Sequence, residues 1–542
     1  MADEAAQRYR AGVGAYNAGD MRGAAAGFLT AFGLVPDDPA YRRAAFDILN
    51  LMSGYRVLPA PVVAGLERAI AANDLDLQPL ALVVRNLLEA DPRLAALETL
   101  TDGDLEARLP DAGCLLENQL LRAVLTRAVN ISARLEAVFA RLRTHLCRAV
   151  ADNRPSALRG RFRAFSVGLA AQCVIGRYVW AEAAAERACI ARLAGRQDDD
   201  ALLVRAAYRP LQEIEATAAQ RLAPELLALW QEEADVRARV QALPQLTSLA
   251  PGLSAGMQAQ YETYPYPRWR WIDAAAPMSL RAFLERAAPG AAFARLDGAV
   301  DVLIAGCGTG RPALALARTL PTANITAIDL SRTSLAYAQH MAAKFGAANI
   351  TFAIADILAL AGWSQRFHFI ECSGVLHHMS DPAAGLRSLR GLLRDDGAML
   401  VSLYSERGRA AEAAAQAFVQ VRAFPDTAEG LRSARAEIMA LPPTHPAHQV
   451  TATPDFFTRD GLHDLIFNLH ESRITPAAMK RLLHACGLKA IAVEAPTALG
   501  GAAFRARHPD PSAQADLDLW DAFEQENPQV FAQMIQVWCR PV

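Results

Sequence analysis

The rhythm of apolar and polar positions changes once along this chain. Up to about Leu243, Leu, Ala and Val recur at three- and four-residue spacing with Arg between them, the period of helices buried on one face. From Glu4 to about Ala45 this predicts two antiparallel helices. Further helices are expected over Pro61–Ala71, Leu115–Val129, Ser132–Ala151, Ser156–Cys173, Arg177–Leu193 and Asp198–Leu222, with Asp-Pro and Asn-Arg-Pro as interruptions. From about Met278 short apolar runs alternate with helical stretches. Strands are expected at Val302–Ile304, Ile325–Leu330, Ile350–Asp356, Phe367–Gly374 and Ala398–Tyr404, then at Leu488–Ala495 and Ala532–Cys539. Helices follow the first strand from about Pro312 and the fourth over Asp381–Leu393, where Ser380-Asp381-Pro382 is a capped start.

The first strand runs into Gly306-Cys307-Gly308-Thr309-Gly310. Alternating glycines turn the backbone sharply and let it approach a nucleotide where a side chain would clash. The second strand ends in Asp329, about twenty residues on, where a carboxylate can accept hydrogen bonds from both hydroxyls of a ribose. The third ends in Asp356, and the fourth leads through Ser373-Gly374 into Val375-Leu376-His377-His378-Met379. A pyrophosphate cradle wants G-x-G-x-x-G, whereas the third glycine here comes two residues after the second, which argues against a dinucleotide.

VLIAGCGTG, AIDLS, AIADI and ECSGVLHHM stand in the order and spacing of a known family. On these motifs the chain resembles a class I S-adenosylmethionine-dependent methyltransferase. The resemblance implies a Rossmann-like α/β domain with a seven-stranded sheet whose last strand is antiparallel and inserted between the fifth and sixth. It also implies S-adenosylmethionine as cofactor. Gly306, Cys307, Gly308 and Gly310 then approach its amino-acid part, and Asp329 with Leu330 its ribose. Asp356 and Ile357 take the adenine, while Ser373 and Gly374 lie near the sulfonium. The N-terminal hairpin resembles one tetratricopeptide repeat at Gly12, Ala24, Phe28, Ala31 and Pro36, with Tyr16 one place off.

Four domains are expected: a hairpin over 1–50, an all-α domain over 51–243, a linker with an aromatic covering segment over 244–277, and the methyltransferase domain over 278–542. In the third, Gln245–Gly256 reads as linker. Tyr261, Tyr264, Tyr266, Arg268, Trp269 and Trp271 follow in a proline-stiffened path. Tyrosine rings suit a sulfonium cation, so the three tyrosines are expected to cover the cofactor, with Tyr266 and Arg268 also toward substrate. Equally, the segment can serve to staple the two halves of the chain through its tryptophans.

An insertion over about 406–484 is expected to build a substrate lid. Asp464 and Asn468 would share a helix face, and with His378 they are expected to bind substrate. His377, His378, His470 and Glu471 are the candidates for moving a proton.

Formal charge is −2, with 55 Lys and Arg against 57 Asp and Glu, so there is no basic field for nucleic acid or an anionic membrane. The eight cysteines form no C-x-x-C pair, and scattered histidines give no metal spacing, so no metal is expected. The charged first residues and the lack of a long apolar run lead us to expect a cytoplasmic protein. The favoured reading is methyl transfer to N or O of a protein or peptide acceptor recruited by the helical domain. A second keeps the chemistry with a small-molecule acceptor and uses the helical domain for homodimerisation. A third is a non-catalytic scaffold, against which the intact glycines and acids argue.

Overall fold

The change of rhythm marks a division into two compact units, Met1–Glu233 with Ala452–Arg459, and Ala234–Thr451 with Asp460–Val542. The structure is a computed structural model that describes every residue except 53, 72–75, 250, 273–274, 294–295, 297–298, 496–497 and 533.

In the first unit the hairpin closes on two glycines. A Cβ on Gly27 would lie 2.6 Å from the Cα of Gly12, so helices Ala2–Asn17 and Met21–Leu34 touch backbone to backbone. A third helix, Pro39–Leu51, begins before the expected end of the hairpin, because Asp38 caps it and Pro39 opens its first turn. Two expected helices are shorter than their apolar spacing suggests. Arg177 and Tyr178 adopt φ of 57° and 60°, and the helix there starts only at Ala184. Likewise the helix from Asp199 stops at Tyr208, two residues before Pro210. The insertion returns Ala452–Arg459 to this unit, where Arg459 N–H donates to the carbonyl of Gly176 at 3.0 Å.

The second unit is built on seven strands: β1 (Val300–Ala305), β2 (Ala323–Asp329), β3 (Ile350–Ile354), β4 (Phe367–Ser373), β5 (Leu393–Tyr404), β6 (Leu488–Glu494) and β7 (Met534–Pro541). Their order is β3-β2-β1-β4-β5-β7-β6, with β7 antiparallel to both neighbours. This is the expected sheet, although its last strand begins at Met534 and Gln533 lies outside the described residues. Both faces are covered by apolar clusters, which is why Val302–Ala305 of β1 and Ala398–Val401 of β5 read as unbroken apolar runs. β1 pairs with β2 on one side and β4 on the other, with Ile304 opposite Ala327 and Glu371. The chain order reverses there, and open α/β sheets bind ligands at such a point, beyond the carboxyl ends of the strands.

The expected linker is not a free connection. Leu246 N–H donates to Ile354 O, and Ile354 N–H to Pro244 O, each at 2.8 Å, so the segment pairs with the exposed edge of β3. A helix, Leu253–Thr263, follows it.

Candidate active site

The glycine turn closes back on β2, with Gly306 and Cys307 N–H both donating to Ile328 O at 2.8 and 2.9 Å. Gly306 has φ of 76° and Gly308 of 52°, a region that side chains strain. A Cβ on Gly306 would stand 2.3 Å from Val375, and one on Gly308 2.9 Å from the carbonyl of Tyr266. The backbone is therefore bare where it faces the crevice. Asp329, at the end of β2, holds this turn: one carboxylate oxygen accepts Gly308 N–H at 2.7 Å and the other Ser331 N–H at 2.9 Å. Burial pushes its pKa up while these backbone donors pull it down, and the net shift is upward.

Around this turn lies a cavity of about 320 Å³. It is lined by Gly306, Gly308, Asp329, Asp356 and Ser373, and also by Tyr261, Tyr266, His378, Tyr404, Asp464 and Met534. Helix Leu253–Thr263 roofs it with Leu253, Met257 and Tyr261, four residues apart on one face. The roof is fastened by Glu262, whose carboxylate accepts the N–H groups of Arg332 and Thr333 at 2.7 and 2.9 Å. These are free donors at the start of helix Arg332–Lys344, so one acid both docks the roof and caps a second helix.

Tyr261, His378 and Asp464 of this lining belong to a polar cluster. Tyr261 OH donates to Asp464 Oδ1 at 2.8 Å, and Asn468 Nδ2 to the same oxygen at 3.0 Å. His378 Nδ1 lies 2.7 Å from the carbonyl of His470; a carbonyl only accepts, so Nδ1 carries the proton. Its Nε2 is then a bare lone pair, 3.1 Å from His377 Nε2 and 3.2 Å from Tyr261 OH. Desolvation holds His378 down at about 4 and His377 well below the usual range. Burial pushes Asp464 up to about 6 and raises the Tyr261 hydroxyl well above 10.0.

These directions give a stability test. The unfolded chain protonates His378 near 6.5 and the folded ring only near 4, so His378 lowers stability as pH falls from 6.5 toward 4. Asp464 has the opposite slope, lowering stability as pH rises from 3.8 toward 6. His378→Gln is expected to lose less stability than the native chain between pH 6.5 and 5, measured as urea midpoints. Equal losses would show that the buried ring does not titrate as its surroundings dictate.

Of the residues singled out from sequence, Gly306, Cys307, Gly308, Asp329, Leu330, Asp356, Ile357, Ser373 and Gly374 line the cavity, together with Tyr261, Tyr266, His378 and Asp464. The others stand behind it. Gly310 packs against Ala338. The Tyr264 ring stacks on His463 at 3.8 Å, and Arg268 sits over the Tyr337 ring at 4.9 Å. His377 is buried between His378 and Tyr404, stacking on the latter at 3.7 Å. Asn468 reaches the cluster through Asp464 and Tyr261, and its Oδ1 accepts His470 N–H at 3.3 Å. His470 contributes its carbonyl, while Glu471 is spent on Arg409 and Arg473 at 3.2 and 2.9 Å. Trp269 docks within its own unit, donating to Thr309 O at 3.0 Å. Sequence reasoning missed Met257, Glu262, Tyr404 and Met534. Tyr404 ends β5, and its position at a strand's carboxyl end was the available signal. Among the described residues no group of three or more His, Cys, Asp or Glu is placed to hold a metal, and no helix is long and apolar enough to cross a membrane.

Residues 296–441 match the family described as a methyltransferase domain. An uncharacterized protein of Synechococcus is 34% identical over 176 residues, 30% of this chain and 40% of its own length. The ubiquinone biosynthesis O-methyltransferase of Paracidovorax citrulli is 31% identical over 144 residues, 26% of this chain and 52% of its own. The chain thus spans about half or less of the length of these relatives. PKMT2 from Rickettsia typhi, solved in complex with AdoHcy, is similar at 15% identity with a TM-score of 0.38, over 48% of this chain and 53% of that one.

The C-terminal unit carries a class I S-adenosylmethionine-dependent methyltransferase domain, with S-adenosylmethionine as its cofactor. The residues present fit that group. The turn leaves no room for a Cβ at Gly306 or Gly308, and two carboxylates stand at the strand ends, with no Lys or Arg among the described residues that line the cavity to meet a phosphate.

Proposed function

We propose that the chain transfers the methyl group of S-adenosylmethionine to N or O of an acceptor bound against Tyr261, His378 and Asp464. The observation that carries this is a cavity lined both by the glycine turn with Asp329 and by the polar cluster of Tyr261, His378 and Asp464. Asp329, Asp356 and the carbonyl-facing turn hold the nucleoside, with Ser373 and Gly374 beside its sulfur and Tyr266 over it. The cofactor brings a methyl group already activated on a sulfonium. The chain then has to orient the acceptor, exclude water and hold a proton. Helix Leu253–Thr263 and Met534 exclude water, and Tyr261 and Asp464 orient. The groups of the cluster that can hold a proton are the Asp464 carboxylate and the neutral Nε2 of His378, the latter 3.1 Å from His377 Nε2.

The acceptor we propose is a protein or peptide recruited by the N-terminal helical unit, whose hairpin resembles a peptide-binding repeat. A small-molecule acceptor is the second reading, favoured by the likeness to an O-methyltransferase over 26% of the chain. The domain division of the sequence reading and a cytoplasmic location belong to the same proposal. Radiolabelled S-adenosylmethionine and a host lysate test it. Labelled protein is expected; label confined to soluble small products would establish the second reading. No calorimetric binding of the cofactor would remove methyl transfer altogether.

A further inference from the structure

We infer that Asp464 and the tyrosines beside it form a cation site that takes the acceptor as an amine, so that the transfer is an N-methylation. This rests on the proposed methyl transfer and names its acceptor.

Asp464 is 6% exposed and lines the cavity. Both of its described hydrogen bonds, from Tyr261 and Asn468, go to Oδ1. No cation touches it among the described residues. Arg409, which acts on it at longer range, pairs with Glu471 and covers the Tyr404 ring at 3.6 Å. A carboxylate taken out of water with no cation in contact is costly, and it becomes favourable when a positively charged ligand arrives.

The count of protons leads the same way. His378 Nε2 has no hydrogen of its own, and His377 Nε2–H, 3.1 Å away, is the donor it meets. Tyr261 has one proton and gives it to Asp464. Among the described hydrogen bonds none reaches Asp464 Oδ2, so that oxygen is left to take a donor from the ligand. An ammonium brings three, a hydroxyl one. Tyr261 and Tyr266 both line the cavity, and tyrosine rings attract a cation.

The chemistry balances. The bound ammonium gives one proton to the Asp464 carboxylate and becomes a neutral amine. The amine lone pair forms the N–C bond to the methyl group as the C–S bond breaks, its electron pair staying on sulfur. The product leaves as a methylammonium, and the proton on Asp464 passes to water. Burial, which lifts Asp464 to about 6, makes it a better acceptor for that proton than an ordinary carboxylate. The charged and titratable groups facing it are Tyr261 from the roof, His378 from the turn after β4, and Arg409 and Glu471 beyond them.

The test uses the full chain with labelled cofactor and lysate acceptors, and reads the chemical form of the recovered methyl group. Label in base-stable N-methylamines is expected; label released as methanol by mild base, or held in O-methyl ethers, overturns the inference while leaving methyl transfer standing. In Asp464→Asn the N-methyl label is expected to fall about hundredfold, with S-adenosylhomocysteine affinity unchanged by calorimetry. An undiminished label overturns the role of Asp464. A second readout needs no variant. With S-adenosylhomocysteine bound, hexylammonium is expected to bind the native chain at least about tenfold tighter than hexanol at pH 7.5, a preference that shrinks as pH falls through about 6. Equal binding of the two probes overturns the cation site. Failure of the chain to bind S-adenosylhomocysteine at all sinks the underlying activity instead.

Discussion

Replacing Asp329 by alanine is expected to weaken S-adenosylmethionine binding by about tenfold to hundredfold, measured by calorimetry. The carboxylate has two tasks that compete for its oxygens. It fixes the glycine turn through Gly308 N–H and Ser331 N–H, at 2.7 and 2.9 Å, and it faces the cavity where the ribose hydroxyls belong. Hydrogen bonds to a charged group contribute about 1.5–3 kcal/mol each, and 1.4 kcal/mol is tenfold in affinity. Losing a single ribose hydrogen bond at the low value gives the lower end of that range. Loosening the turn as well, so that its backbone has to be ordered on binding, gives the upper. Asp329→Asn separates the two, since an amide oxygen can keep one backbone donor but supplies no charge. It is expected to fall between the native chain and the alanine variant. An unchanged affinity in Asp329→Ala removes this residue from the site.

The sheet was legible because of where it lies. Val302–Ala305 and Ala398–Val401 are covered on both faces, so they appear as uninterrupted apolar runs, and the turn between β1 and its helix displays its glycines openly. Helix Leu253–Thr263 was not legible. Apart from Leu253, Met257 and Tyr261 its residues are small or polar, Met257 is the one that is fully buried, and it is fastened by Glu262 to backbone donors about seventy positions away, a partnership with no local signature. The same holds for His378, whose tautomer depends on a carbonyl 92 residues further along. His470 and Glu471 attracted attention for their chemistry, but the fold uses one as backbone and the other to restrain two arginines. In the helical unit the periodicity of Arg177–Leu193 continues through a stretch where two positive φ angles break the helix. Apolar spacing reports which face is buried and says nothing of a local backbone reversal.

Gly306→Ala is expected to abolish measurable cofactor binding, by hundredfold or more, while the chain stays folded. Two separable causes contribute. The added Cβ would meet Val375 at 2.3 Å from Cγ2 and 2.9 Å from Cγ1, distances that force the turn or the strand end to move. Independently, φ of 76° strains any residue with a Cβ by about 1–2 kcal/mol. Adding Val375→Ala removes both γ carbons and leaves the Val375 Cβ at 3.1 Å, a contact that a small shift relieves. The double variant is therefore expected to regain most of the lost affinity yet remain about tenfold weaker than the native chain, the share due to backbone strain. Recovery to the native value would show that strain at this turn is absorbed elsewhere. No recovery would locate the obstruction on the cavity side, with the Cβ excluding the cofactor itself from the backbone it has to approach.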